Sequence, residues 1–110
     1  MKRILVTGGC GFIGSHLAEK LIQLGYKVTI IDNLSTGRLE NIKNFKNKLN
    51  FYKVDIKDKK KIEKYFKNID IVFHCAALAD IVPSIQQPEK YYDSNVTGSL
   101  NVISSCLKYK

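Results

Sequence analysis

The chain has 110 residues, 45% of them hydrophobic and 25% charged, with a net charge of +8. At this size a chain buries roughly 60–70% of its unfolded surface, so the composition supports one globular unit and argues against disorder. Apolar runs such as residues 71–73 and 75–79 fall far below the ~20 residues that span a bilayer, and the apolar N-terminal stretch is too short for a secretory signal. The three cysteines, Cys10, Cys75 and Cys106, are odd in number and form no C-x-x-C pair, which excludes a disulfide framework and a cysteine zinc site.

In chain order, residues 2–7 form a continuously apolar run closed by Gly8 and Gly9, the pattern of a buried parallel strand. Residues 12–24 have helical spacing, with Ile13, Leu17, Leu21 and Leu24 on one face and Gly25 where a helix ends. Residues 27–32 are rich in β-branched side chains and read as a second strand. A polar loop follows, with a short helix expected around 39–45, then a third strand at 50–54 and a basic amphipathic helix at 58–66. A fourth strand is expected at 70–76, a loop marked by Pro83 and Pro88, and a helix over 89–107. Lys57, Lys59, Lys60, Lys61, Lys64 and Lys67 surround the helix at 58–66, broken by Asp58 and Glu63 and without interleaved Arg and aromatics. They read as a solvated face, so no nucleic-acid partner is expected despite the charge. Strands alternating with helices predict an α/β fold, a Rossmann-type doubly wound parallel sheet limited to its first four strands in the order 3-2-1-4.

The strongest motif is Thr7-Gly8-Gly9-Cys10-Gly11-Phe12-Ile13-Gly14, between a predicted strand and a predicted helix. It fits two overlapping patterns, Gly8-x-x-Gly11-x-x-Gly14 and G-x-G-x-x-G through Gly9, Gly11 and Gly14. The context matters more than either pattern. One glycine permits the tight turn, one lets a diphosphate reach the backbone, and Gly14 lets the helix pack closely. The first N–H groups of the helix then face the phosphates. Asp32 closes the second predicted strand eighteen residues after Gly14, near the ~20 at which an acid accepts from both adenosine ribose hydroxyls. At about 4 Å and an effective dielectric of about 20, a 2′-phosphate beside it would cost about 4 kcal/mol, which favours NAD over NADP. Arg38 is the nearby cation that would suit the phosphate instead.

These motifs, with Asp32-Asn33-Leu34-Ser35-Thr36-Gly37, Asp55-Ile56, His74-Cys75-Ala76-Ala77 and Tyr91-Tyr92-Asp93-Ser94-Asn95-Val96-Thr97-Gly98, make the chain resemble the extended short-chain dehydrogenase/reductases. The branch is the NAD-dependent nucleotide-sugar epimerases and dehydratases, with most similarity to the 4-epimerases of UDP-glucose, uronates and N-acetylhexosamines. The resemblance implies that Gly8, Gly11 and Gly14 shape the phosphate loop, with Phe12 and Ile13 offering N–H groups to it. It implies that Asp32 and Asn33 hold the adenosine ribose, with Leu34, Ser35, Thr36 and Gly37 beside the adenine. Asp55 would accept from the adenine amino group while the Ile56 N–H faces a ring nitrogen; the alternative for Asp55 is a helix cap, for which Asp58 is better placed. Cys75, Ala76 and Ala77 would pass beneath the diphosphate and nicotinamide ribose, with Asn95 near that ribose. Ala79 joins this cofactor set where many 4-epimerases carry a Lys, a departure that leaves room for the sister activities. Residues 81–84 would border the sugar.

The resemblance also implies what catalysis requires, a Tyr-x-x-x-Lys pair on one helix face. Four residues after Tyr26, Tyr52, Tyr65, Tyr91 and Tyr92 stand Ile30, Ile56, Ile69, Asn95 and Val96, and the chain ends after Tyr109. The chain is therefore read as the N-terminal, NAD-binding part of a longer enzyme, with no catalytic residue of its own, no metal and no turnover alone. His74 is expected to be structural and His16 inert. The substrate of the parent would be a nucleotide sugar, the compartment the cytoplasm, no membrane partner is expected, and bare surface suggests a homo-oligomer. The alternatives are a non-catalytic NAD-binding module and, on charge alone, a basic nucleic-acid-binding protein.

Overall fold

The computed structural model describes residues 2–78 and 81–109. Among them, strands β1 (Arg3–Thr7), β2 (Lys27–Asp32), β3 (Asn50–Lys53) and β4 (Ile71–His74) pair in parallel in the order 3-2-1-4, as expected. Ile4 of β1 lies opposite Val28 on one side and Ile71 on the other. Side chains of successive strand residues alternate between two faces. Ile4, Val6, Val28 and Ile30 pack with Ala18, Leu21, Ile42 and Phe45 on one side. Leu5 and Ile31 pack with Ile56, Ile62, Phe66 and Val102 on the other. Two cores thus sandwich the sheet, which explains why β1 is apolar without alternation.

Helix α1 (Phe12–Gln23) ends as expected at Gly25, whose φ is +91°. The Gly25 N–H donates to the Ile22 carbonyl and the Tyr26 N–H to the Leu21 carbonyl, closing the last turn. The buried face differs from the expected one. Gly14, Ser15, Ala18 and Leu21 face the core, while Ile13 and Leu24 are exposed at 72% and 60%. Small residues decide this, because α1 lies so close to the loop below that a Cβ on Gly14 would overlap the Gly8 carbonyl.

The segment after β2 makes two 3-10 turns, Leu39–Ile42 and Lys46–Lys48, where one short helix was expected. Helix α2 (Lys59–Ile62) is capped by Asp58, whose Oδ1 accepts from the Lys61 N–H at 3.3 Å, and tightens into a 3-10 turn over Glu63–Phe66. Where a loop was expected there is a helix, α3 (Ile81–Gln86), with Pro83 in its first turn, and Pro88 opens α4 (Pro88–Tyr92). The first N–H groups of a helix have no partner to lose, so both prolines are tolerated there. The helix expected over 89–107 is three pieces: α4, a wide π turn at Asp93–Thr97, and α5 (Gly98–Lys108). Helix α5 docks through Asn101, whose Nδ2 donates to the carbonyls of Ile56 (2.9 Å) and Lys57 (3.1 Å). No helix among the described residues is long and apolar enough to cross a membrane.

Candidate functional site

Because all four strands run the same way, Thr7, Asp32, Lys53 and His74 end at one edge of the sheet. The chain leaves β1 toward β2 and β3 on one side and returns to β4 on the other. A crevice opens at such a reversal. Here it is a cleft of about 240 Å³.

Its first wall is the loop between β1 and α1, contributing Gly8, Gly11, Phe12, Ile13 and Gly14. Gly8 has φ +69°, and a Cβ there would sit 2.6 Å from the Ala76 nitrogen. Only glycine fits both the conformation and the space. Gly9 does not line the cleft; its Cβ would meet the Ile30 side chain at 2.5 Å. The structure therefore assigns the cleft to the Gly8, Gly11, Gly14 pattern and gives Gly9 to core packing. Helix α1 starts from Gly11 with no side-chain cap, so its first N–H groups remain free to meet an anion.

The second wall is the end of β2 with the loop after it: Asp32, Asn33, Ser35, Thr36 and Gly37. Asp32 is buried, and its carboxylate accepts from two backbone N–H groups, Cys10 at 2.9 Å on Oδ2 and Leu34 at 2.8 Å on Oδ1. These charge-assisted bonds offset its desolvation. Leu34 itself does not line the cleft; it takes φ +62° and serves through its N–H. Arg38 is exposed and outside the cleft lining; its N–H donates to the Cys10 carbonyl at 3.0 Å, as does Asn41 Nδ2 at 2.8 Å, tying the two walls together.

Asp55 and Ile56, just past β3, form the far end. Asp55 is joined to Asn33 by a 3.1 Å bond from Asn33 Nδ2 to Oδ2, and its Oδ1 accepts from the Lys57 N–H at 2.9 Å. Asp55 is therefore not the cap of α2; Asp58 is.

The fourth side is the segment after β4, Cys75, Ala76 and Ala77. Thr7, wholly buried, anchors it. Thr7 Oγ1 accepts from the N–H groups of Cys75 and Ala76, both at 3.1 Å, and lies 2.6 Å from His74 Nδ1. With both oxygen lone pairs facing N–H groups, the hydroxyl hydrogen is left for His74 Nδ1. That assigns the ring proton to Nε2, which donates to Ser99 Oγ at 2.8 Å. Burial of part of the ring pushes the His74 pKa below its ordinary value, consistent with a neutral imidazole. His74 thus has a holding role, as expected. His16 takes no part in the cleft lining; its Nδ1 meets the Phe12 carbonyl within α1 at 2.7 Å.

Of the expected site residues within the described chain, Leu34 and Asn95 are not in the cleft lining. Asn95 stands behind the wall, with its side-chain oxygen accepting from the Leu78 N–H and its amide donating to the Leu78 carbonyl, both at 2.8 Å. Ala79 lies outside the described residues. Conversely, Ile31, Val54, Leu78 and Ser94 line the cleft without having been singled out. Ile31 and Val54 precede the two acids and were readable from strand ends; Leu78 and Ser94 depend on the π turn, which leaves no periodic signal. Burial, with the Asp32 charge adding to it and Lys46 opposing, pushes the Cys10 thiol up to about 12. Burial raises Cys75 and Cys106 too, so none is an activated thiolate. No cluster of metal-ligating side chains exists among the described residues.

The chain resembles known proteins in sequence and in fold. The chain is 45% identical over 107 residues to a putative UDP-glucose 4-epimerase of Methanocaldococcus jannaschii, covering 96% of this chain and 34% of that protein. Its fold matches the UDP-glucose 4-epimerase of Thermotoga maritima, with TM-score 0.91 and 41% identity over 97% of this chain and 34% of the other. It also matches the UDP-glucose 4-epimerase of Thermus thermophilus in complex with NAD, with TM-score 0.89, 40% identity, and the same two shares of 97% and 34%. The chain spans about a third of the length of these relatives. A model of the NAD dependent epimerase/dehydratase family matches residues 4–110, nearly the whole sequence, and the chain belongs to that family.

Proposed function

We propose that the cleft binds NAD and that this chain is the cofactor-binding part of an enzyme acting on a UDP-linked sugar, with 4-epimerisation as the parent reaction. The residues fit the cofactor. A Cβ on Gly11 would meet only the Gly8 carbonyl, at 3.3 Å, so the turn stays open where a diphosphate needs the backbone, and the Phe12 and Ile13 N–H groups lie beside it. Asp32 accepts two bonds already and retains lone pairs for a ribose diol. Asp55 beside the Ile56 backbone supplies the acceptor–donor pair of an adenine edge. The small side chains of Ala76 and Ala77 allow close approach on the opposite side.

Held there by the Gly8–Gly14 turn, Asp32 and Asp55, NAD would supply reversible hydride acceptance toward the sugar. This chain orients the cofactor and excludes a 2′-phosphate. With no Tyr-x-x-x-Lys pair in the sequence, it turns over no sugar on its own. The cleft is smaller than the ~300–1,000 Å³ of complete ligand pockets, in keeping with a site that receives further walls. Its cysteines are all free, which suits a cytoplasmic protein. We read the exposed apolar side chains Tyr92 of α4, Val96 of the π turn, and Leu100, Ile103 and Leu107 of α5 as the contact to a second copy.

The observation that carries the reading is the Asp32 carboxylate, fixed by two N–H groups in the same cleft as the glycine loop. Calorimetric titration of the chain with NAD and NADP tests it. NAD binds and NADP binds at least about tenfold more weakly. Tighter binding of NADP, or no binding of NAD, overturns it.

A further inference from the structure

A second hollow, of about 260 Å³, lies next to the cleft and is lined by Asn33, Lys53, Val54, Asp55, Asp58 and Lys61. Asn33, Val54 and Asp55 also line the cleft, so the two spaces share one partition, whose polar part is the Asn33–Asp55 hydrogen bond. A carboxylate has about four lone-pair sites. On Asp55 the Lys57 N–H and the Asn33 amide occupy two, and the Lys57 ammonium stands 3.7 Å from Oδ2. One remains for a donor arriving from the cleft. The exocyclic amine of adenine has two hydrogens and needs only one to satisfy that acceptor. The second is left free for a substituent, and the hollow adjoins Asp55.

We propose that the hollow is a subsite for substituents on the exocyclic nitrogen of adenine, so that the chain accepts adenine dinucleotides carrying a short acidic tail there. The inference rests on the NAD reading above. The preference for acid follows from the lysines. Lys61 answers Asp58 at 3.6 Å, and Lys57, outside the lining, answers Asp55, so Lys53 is the lining charge with no ion pair among the described residues. A substituted nitrogen keeps one N–H for Asp55, so recognition of the adenine edge survives the modification.

The test titrates the chain with NAD, N6-(2-carboxyethyl)-NAD and N6-(2-aminoethyl)-NAD. The carboxyethyl form binds within about threefold of NAD or more tightly, and the aminoethyl form binds about fivefold to tenfold more weakly than the carboxyethyl form. Lys53→Glu reverses the order of the two analogues and leaves NAD affinity within about twofold, since Lys53 does not line the cleft. NAD binding with the carboxyethyl form excluded by more than about tenfold overturns the subsite and leaves the NAD reading standing. Equal affinity for the acidic and basic tails, or an unchanged order in the Lys53 variant, overturns the recognition of acid. Failure of NAD itself to bind overturns both.

Discussion

His74 couples protonation to folding through one hydroxyl. Its Nδ1 must stay unprotonated to accept from Thr7, and Thr7 must keep its lone pairs turned to Cys75 and Ala76. Its pKa in the folded chain is lowered from 6.5. On acidification the unfolded chain takes up this proton first, so the stability His74 contributes is complete above about pH 6.5 and is lost as pH falls from there toward the folded value. Urea unfolding at pH 7.5 and 5.5 measures the slope, and His74→Gln removes this component of it. An unchanged slope in the variant would show that Thr7 does not depend on the imidazole. Asp32 was legible from its place at a predicted strand end eighteen residues after Gly14, whereas Asp55 was singled out only through the family resemblance. The reciprocal pair of hydrogen bonds between Asn95 and Leu78 was not legible, since nothing in the spacing between them signals contact across the intervening segment.

At the scale of elements, α5 depends on a polar anchor in an otherwise apolar contact. Asn101 is buried and satisfies the carbonyls of Ile56 and Lys57. Asn101→Ala leaves both acceptors without this partner and lowers the unfolding free energy by about 1–3 kcal/mol, read from the denaturation midpoint. Val102→Ala, one position along, removes only methyl groups and costs about 1–2.5 kcal/mol through packing. The central strand β1 was readable because a parallel strand covered on both faces is apolar along its length. The buried side of α1 was not, because hydrophobicity points to Ile13 and Leu24 while the geometry selects Gly14 and Ala18. Closeness of approach, not greasiness, sets that face. Pro83 and Pro88 misled in the same way, since a proline ends one helix and begins another with the same ring.

For the whole molecule, two couplings follow. If NAD binds the folded chain as proposed, about 100 Kd of it should raise stability by about 2.7 kcal/mol, read as an upward shift of Tm, and NADP at the same concentration should give a smaller shift. The contact proposed for the apolar face of α4 and α5 predicts association that depends on concentration. Sedimentation of the wild type is expected to show a dimer, and the double variant Leu100→Glu with Ile103→Glu, both on exposed positions, a monomer with an unchanged Tm in dilute solution. A wild type that stays monomeric at high concentration removes the role proposed for that face.

The π turn at Asp93–Thr97 carries one residue more than an α-helix needs for the same advance. Dropping a single codon there would let α4 run straight into α5 with neither changing the direction it faces, so the frame of the protein tolerates the loss. The amide that holds the Leu78 peptide would move off its partner. Length variation at this one spot therefore separates two traits that usually travel together, keeping the scaffold intact while releasing one rim of the ligand crevice.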